Sequence, residues 1–168
     1  MSDTSAYEHN LKLYFDSKRK DLDILLSTTI PTQKNLMKTI LWLNSSIFAI
    51  TITLLIKKEI PIIFLSLPFI FSSIAIFHIL LSLKDGREKT FGTLPFSEIN
   101  NIPQDENEKV QGLYDMNTSL DIAFKANSLL VEKRGTKIGK ATNFTILSAI
   151  SIFFMIIIYV NFYLMKGG

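Results

Sequence analysis

The chain has 168 residues, 48% of them hydrophobic, and a formal net charge of +3. So small a positive balance gives no electrostatic ground for nucleic-acid binding. Cysteine is absent, which excludes disulfides, thiolate metal sites and cysteine nucleophiles.

In chain order, Met1 to Asn10 is polar and mildly acidic, with no basic start leading into an apolar core, so no cleavable signal peptide is expected. Ser5-Ala6-Tyr7-Glu8 fits a capping box, in which a serine oxygen caps an exposed N–H and a glutamate reaches back. Tyr7, Leu11, Tyr14, Leu22 and Leu25 then make a loose apolar stripe on a predicted helix, which Pro31 should end or bend.

Three blocks follow that contain no Asp, Glu, Lys or Arg: about Thr39 to Ile56, Ile60 to Leu83 and Phe144 to Leu164. A helix of about 20 apolar residues crosses a hydrocarbon core of roughly 30 Å. A charge at mid-membrane costs at least about 2.5 kcal/mol, so charge-free blocks of this length predict an all-α integral membrane protein with three transmembrane helices. Lys57, Lys58 and Glu59 followed by Pro61 make the first two a tight hairpin, with Pro61 suited to a first helical turn. Pro68 should kink the second helix and free a carbonyl near Phe64. Trp42, Tyr159 and Tyr163 lie toward span ends, where amphipathic rings favour the interface.

The expected division is residues 1–38 as an N-terminal helical segment, 39–83 as the hairpin, 84–141 as a helical region and 142–168 as the third span and C-terminus. Of the 18 Lys and Arg, fifteen lie in the first and third of these segments and three on the other side. The positive-inside rule therefore predicts a cytoplasmic N-terminus. Abundant Ile, Lys, Asn and Phe suit a bacterial genome of low GC content, and the expected location is the bacterial inner membrane.

Between the second and third spans, Gly86, Gly92, Pro95 and Pro103 break the chain, with one helical turn expected at Phe96 to Ile99 and a new helix from Asp105 or Glu106. Leu113, Met116, Leu120, Ala123, Asn127 and Leu130 then recur at steps of three and four. They form a candidate seam, either between copies of the chain or against its own N-terminal helix. The helix should continue into the third span, with Gly135 and Gly139 marking a joint or turn before the membrane.

No catalytic constellation, metal-ligand cluster or phosphate-binding glycine loop is present, so neither an enzyme nor a bound cofactor is expected. The candidate pore or interhelical polar residues are Asn44, Thr51, His78, Asn143 and Asn161. Asn44 and Thr51, seven apart, share a helix face. Buried hydroxyls and amides either hold membrane helices together or wet a pore, and an ionisable His78 inside a span is a functional candidate. An anion is conceivable near Arg87 and Lys89 or near Lys133 and Arg134, though juxtamembrane cations more often snorkel to the surface.

The layout resembles the small transmembrane effectors of bacterial nucleotide-signalled antiphage systems of the pyrimidine-cyclase (Pycsar) kind. The matching pieces are a polar N-terminal helix before two close spans, Leu80-Leu81-Ser82-Leu83-Lys84 leaving the second, Phe91-Gly92, and Phe96-Ser97-Glu98-Ile99. A polar helix with Lys125 and Lys133 then runs back to a further apolar helix. The resemblance implies an abortive-infection effector that oligomerises and makes the membrane leaky when a nucleotide second messenger or a protein partner triggers it. It assigns no binding residue. The other classes the sequence allows are a non-conducting scaffold or accessory subunit and a holin-like protein.

Overall fold

The computed structural model describes residues 2–57, 60–85, 88 and 106–166, the side chains of 2–5, 106–108 and 162–166 excepted. All regular structure in them is helical: α1 (Ser2–Ile24), a π-helical turn (Leu25–Thr29), α2 (Ile30–Lys57), α3 (Ile62–Leu83) and α4 (Glu106–Lys166). Three helices are long and apolar enough to cross a membrane: the continuous run Ala6–Lys57, then Ile62–Leu83, then Lys109–Asn161. The expected turn at Phe96 to Ile99, the Phe91-Gly92 pair and the cations Arg87 and Lys89 lie outside the described residues.

Three local expectations are corrected. Helix α1 begins at Ser2, so Ser5 lies inside it and not at its N-terminal boundary. Glu8, the other half of the expected box, instead pairs with Lys12 at 2.7 Å and Lys109 at 2.8 Å. Of the two effects expected at Pro31, an end or a bend, the end is excluded, because α2 runs on through it. The turn before it widens, with the Ile30 N–H bonded to Leu25 O, a five-residue step that absorbs a missing proline donor. Gly135 and Gly139 make no joint, because α4 runs through both without a break. Glycine costs a helix interior only about 1 kcal/mol, and a Cβ at Gly135 would lie 3.5 Å from Gln33 Nε2, an ordinary contact.

The chain forms two compact units, Met1–Pro31 with Gly86–Glu132 and Thr32–Asp85 with Lys133–Gly168. In the first, α1 and the start of α4 run parallel. Glu8 meets Lys109, the Asn117 amide donates to Leu11 O at 3.2 Å, and the Tyr14 hydroxyl reaches both carboxylate oxygens of Asp121 at 2.9 Å. The Lys18 ammonium sits 4.6 Å from the Phe124 ring centroid, a cation–π distance. Leu22, Leu120 and Ala123 are buried together, with Phe15, Leu26 and Phe124 packed around them. The seam read from sequence is therefore occupied, at Leu120 and Ala123, by the chain's own N-terminal helix. Its phase also shifts at one end. Asn117 is buried and Met116 exposed, because the Asn117 amide bonds the α1 backbone where a thioether has nothing to donate. Asn127 and Leu130 are buried as expected, and Leu113 is half-buried.

The two ammonium groups on Glu8, that of Lys109 first, hold its carboxyl down at about 2, from an ordinary 4.5. A depressed carboxyl stabilises the fold above its unfolded pKa, and that contribution is lost as pH falls through the folded value. Titration of the wild type should therefore show Glu8 ionised until about pH 2. The Glu8→Gln variant should lose the part of the acid-stability slope that lies between about 4.5 and about 2. Both effects should weaken in high salt, since the pair is at the surface. Loss of the Glu8 charge near pH 4 would contradict the pairing.

In the second unit α3 runs antiparallel to α2 and α4. Phe48 stacks on Phe69 at 4.6 Å, and one buried layer brings Met37 and Ile40 of α2 to Ile79 of α3 and Ile138 and Ala141 of α4. Beyond that layer the polarity is inverted relative to a water-soluble bundle. Asn44, Thr51, Ser72, Thr145 and Ser148 are buried, while Ile50, Ile63, Ile70, Phe77, Phe153 and Phe154 are exposed.

Candidate functional site

The buried positions of the second unit follow steps of three and four. They are Met37, Ile40, Asn44, Ile47 and Thr51 on α2; Leu65, Pro68, Ser72, Ala75, Ile79 and Ser82 on α3; Arg134, Ile138, Ala141, Thr145 and Ser148 on α4, with Met155 two turns further along. That spacing keeps one face of a helix on its neighbours. Small and hydroxylated residues fill much of these faces, as suits close approach of helices without water.

Two polar layers result. The Asn44 amide donates to Thr145 Oγ1 at 2.7 Å and to Ile40 O at 2.8 Å. Thr145 passes its own proton to Ala141 O at 2.8 Å, so it accepts from Asn44. Ser148 Oγ lies 2.8 Å from Ser72 Oγ and 3.1 Å from Pro68 O. When Ser148 donates to that carbonyl, Ser72 becomes the donor to Ser148. Thr51, one turn pair along from Asn44, bonds Ile47 O of its own helix at 2.7 Å. Within this chain of donors Asn44 Oδ1 is buried and has no hydrogen-bond partner.

A third cluster lies at the end of α3. Lys137 Nζ meets Asp85 Oδ1 at 2.6 Å and donates to Leu81 O at 3.0 Å, while Arg134 Nη2 donates to Asp85 O at 3.2 Å. Two cations from α4 thus satisfy carbonyls at the negative C-terminal end of α3. The buried Asp85 Oδ2 and Ser82 Oγ have no partner.

The structure sorts the residues singled out from the sequence. Asn44 is interhelical through Thr145, whereas Thr51 is buried with its hydroxyl bonded within α2. His78 is half-buried and stacks on Phe144, 5.8 Å between centroids at 11°. Asn143 and Asn161 are exposed, so neither is an interhelical group within this chain. Asn143 lies two residues before Thr145, about 200° around the helix, which puts it on the opposite face. Thr145, Ser148 and Ser72 take the interhelical role instead. The Asp85 cluster was readable only as Asp85 standing just past the second span and Arg134 and Lys137 standing just before the third. Among the described residues no three His, Asp or Glu side chains gather in a metal-binding group.

Because each layer is a donor–acceptor pair across helices, the Asn44–Thr145 bond should appear as coupling. A double-mutant cycle of Asn44→Leu and Thr145→Val, read by SDS titration of the detergent-solubilised protein, should give about 0.6 kcal/mol and at most about 1.7. The double variant should be nearly neutral, since it removes both partners and the orphaned carbonyl together. Zero coupling would contradict the bond.

No protein-family model, curated protein or solved structure matches the chain.

Proposed function

We propose that this chain is a three-pass protein of a bacterial inner membrane, with a cytoplasmic N-terminus and helical unit. It acts as an antiphage effector that oligomerises on a cytoplasmic trigger and permeabilises or depolarises the membrane. The observation that carries the membrane reading is the inverted polarity of the second unit. Exposed Ile and Phe around buried Asn, Ser and Thr are unfavourable in water and favourable in hydrocarbon.

The effector reading draws on the resemblance in layout and on α4. One unbroken helix carries both the packing against α1 at Leu120 and the hydrogen bonds to α2 and α3 at Thr145 and Ser148. A trigger that repacks the first pairing acts on the helix that also carries the second. Three helices are too few to ring an aqueous lumen, and conduction requires several copies.

A second reading, a non-conducting scaffold or accessory subunit, draws on the two polar layers, whose cross-helix bonds form within one copy. Inducible expression in bacteria with a potential-sensitive dye, with and without phage infection, separates the two. The effector reading expects depolarisation and growth arrest under activation, and a ring of four or more copies in detergent. Unchanged potential with tight co-purification of a partner selects the scaffold. Timed lysis together with an endolysin selects the holin class.

A further inference from the structure

We propose that the Asp85 end of the second unit binds the phosphodiester headgroups of anionic phospholipids through Lys38, Lys84, Lys133 and Lys140. The proposal rests on the membrane-spanning reading above. All four side chains are exposed, and no carboxylate among the described residues pairs with any of them. They come from all three helices of the unit. Its described carboxylate is Asp85 alone, which Lys137 already neutralises, so no carboxylate of the unit is left for these four ammonium groups.

Their depth is fixed by the buried layer of Met37, Ile40, Ile79, Ile138 and Ala141. Lys38 adjoins Met37 and Lys140 adjoins Ala141. Lys84 lies five residues past Ile79 and Lys133 five before Ile138. Because α3 and α4 are antiparallel, these offsets point the same way, about 7.5 Å from the layer. The four lysines thus leave the backbone within one band about as deep as the headgroup region of a single leaflet, roughly 5–8 Å.

Beside the band, on the hydrocarbon side, the surface turns apolar, with Phe77 and Ile146 exposed. Trp42, 71% exposed, follows Lys38 by four residues on the same face and adds an indole N–H at the depth where such rings settle. Cations spread around a bundle, next to apolar surface, suit a ligand that is both anionic and acylated. A free phosphate would gain only one or two of these contacts.

The test uses the full chain in detergent, offered equimolar phosphatidylglycerol and phosphatidylcholine and read by native mass spectrometry. The expected result is that bound phosphatidylglycerol exceeds phosphatidylcholine about tenfold. Each single Lys→Gln substitution at the four positions should lower the ratio roughly two- to fivefold, and K38Q/K84Q/K133Q/K140Q should bring it near parity. The single variants decide the matter if the quadruple variant does not fold. Lys57→Gln, at the opposite end of α2, should leave the ratio unchanged.

Equal binding of the two lipids by the wild type, a preference that survives all the substitutions, or displacement of the lipid by inorganic phosphate would each overturn the proposal. Alkaline carbonate extraction tests the membrane-spanning reading separately. Wild type that stays in the membrane pellet but shows no lipid preference refutes the lipid site alone.

Discussion

Replacing Asp85 with alanine should destabilise the packing of α3 on α4 by roughly 2 kcal/mol, and replacing Lys137 with methionine by a similar amount. Removing one partner of a fully buried ion pair costs about 3–5 kcal/mol, mostly because the other charge is left uncompensated. Here the side chains are 18% and 29% exposed, and water recovers part of that. Asp85→Asn should cost about half as much, since the amide oxygen still accepts a hydrogen bond.

The charge-reversed double variant, Asp85→Lys with Lys137→Asp, should not recover stability. Lys137 also donates to Leu81 O, and a carboxylate facing the C-terminal carbonyls of α3 is repelled by them. SDS titration followed by Trp42, the only tryptophan, gives the stabilities. Full rescue by charge reversal would show that a bare ion pair, and not a pair joined to helix-end carbonyls, links these helices.

The second large effect is expected at Leu120. It is wholly buried against Leu22 and Ala123, so Leu120→Ala should cost the first unit about 2–5 kcal/mol. Met116→Ala, at a 42% exposed position, should fall within about 0.5 kcal/mol of wild type. Amide hydrogen exchange around Leu22 reports both, and the Leu120→Ala effect should be independent of protein concentration because Leu22 belongs to the same chain. A cost that disappears on dilution of the wild type into the same exchange regime would place this seam between copies.

Much of this was written in the sequence, and the failures have particular causes. The three apolar helices follow from blocks without a single charge, a signal that survives any error in helix phase. Phase itself is less secure. Met116 and Asn117 are both compatible with Leu120, four and three residues on, and only the Leu11 carbonyl on α1 decides between them. Asn143, just before the third apolar block, and Thr145 and Ser148 within it are likewise all polar, and their faces depend on where α2 and α3 approach. The Ser5 box failed because the same four residues fit a helix interior once the helix starts three residues earlier. The Asp85–Lys137 pair spans 52 residues of sequence, and no local pattern encodes such a partner.

We propose that the chain crosses a membrane three times with α1 in the cytoplasm. Because cysteine is absent, single cysteines can be introduced on a silent background and labelled in intact spheroplasts with a membrane-impermeant maleimide. The expected result is labelling of Lys57→Cys from outside, with Ser17→Cys and Lys133→Cys labelled only after the membrane is opened. Outside labelling of Ser17→Cys, or equal labelling of all three before and after opening, would contradict it.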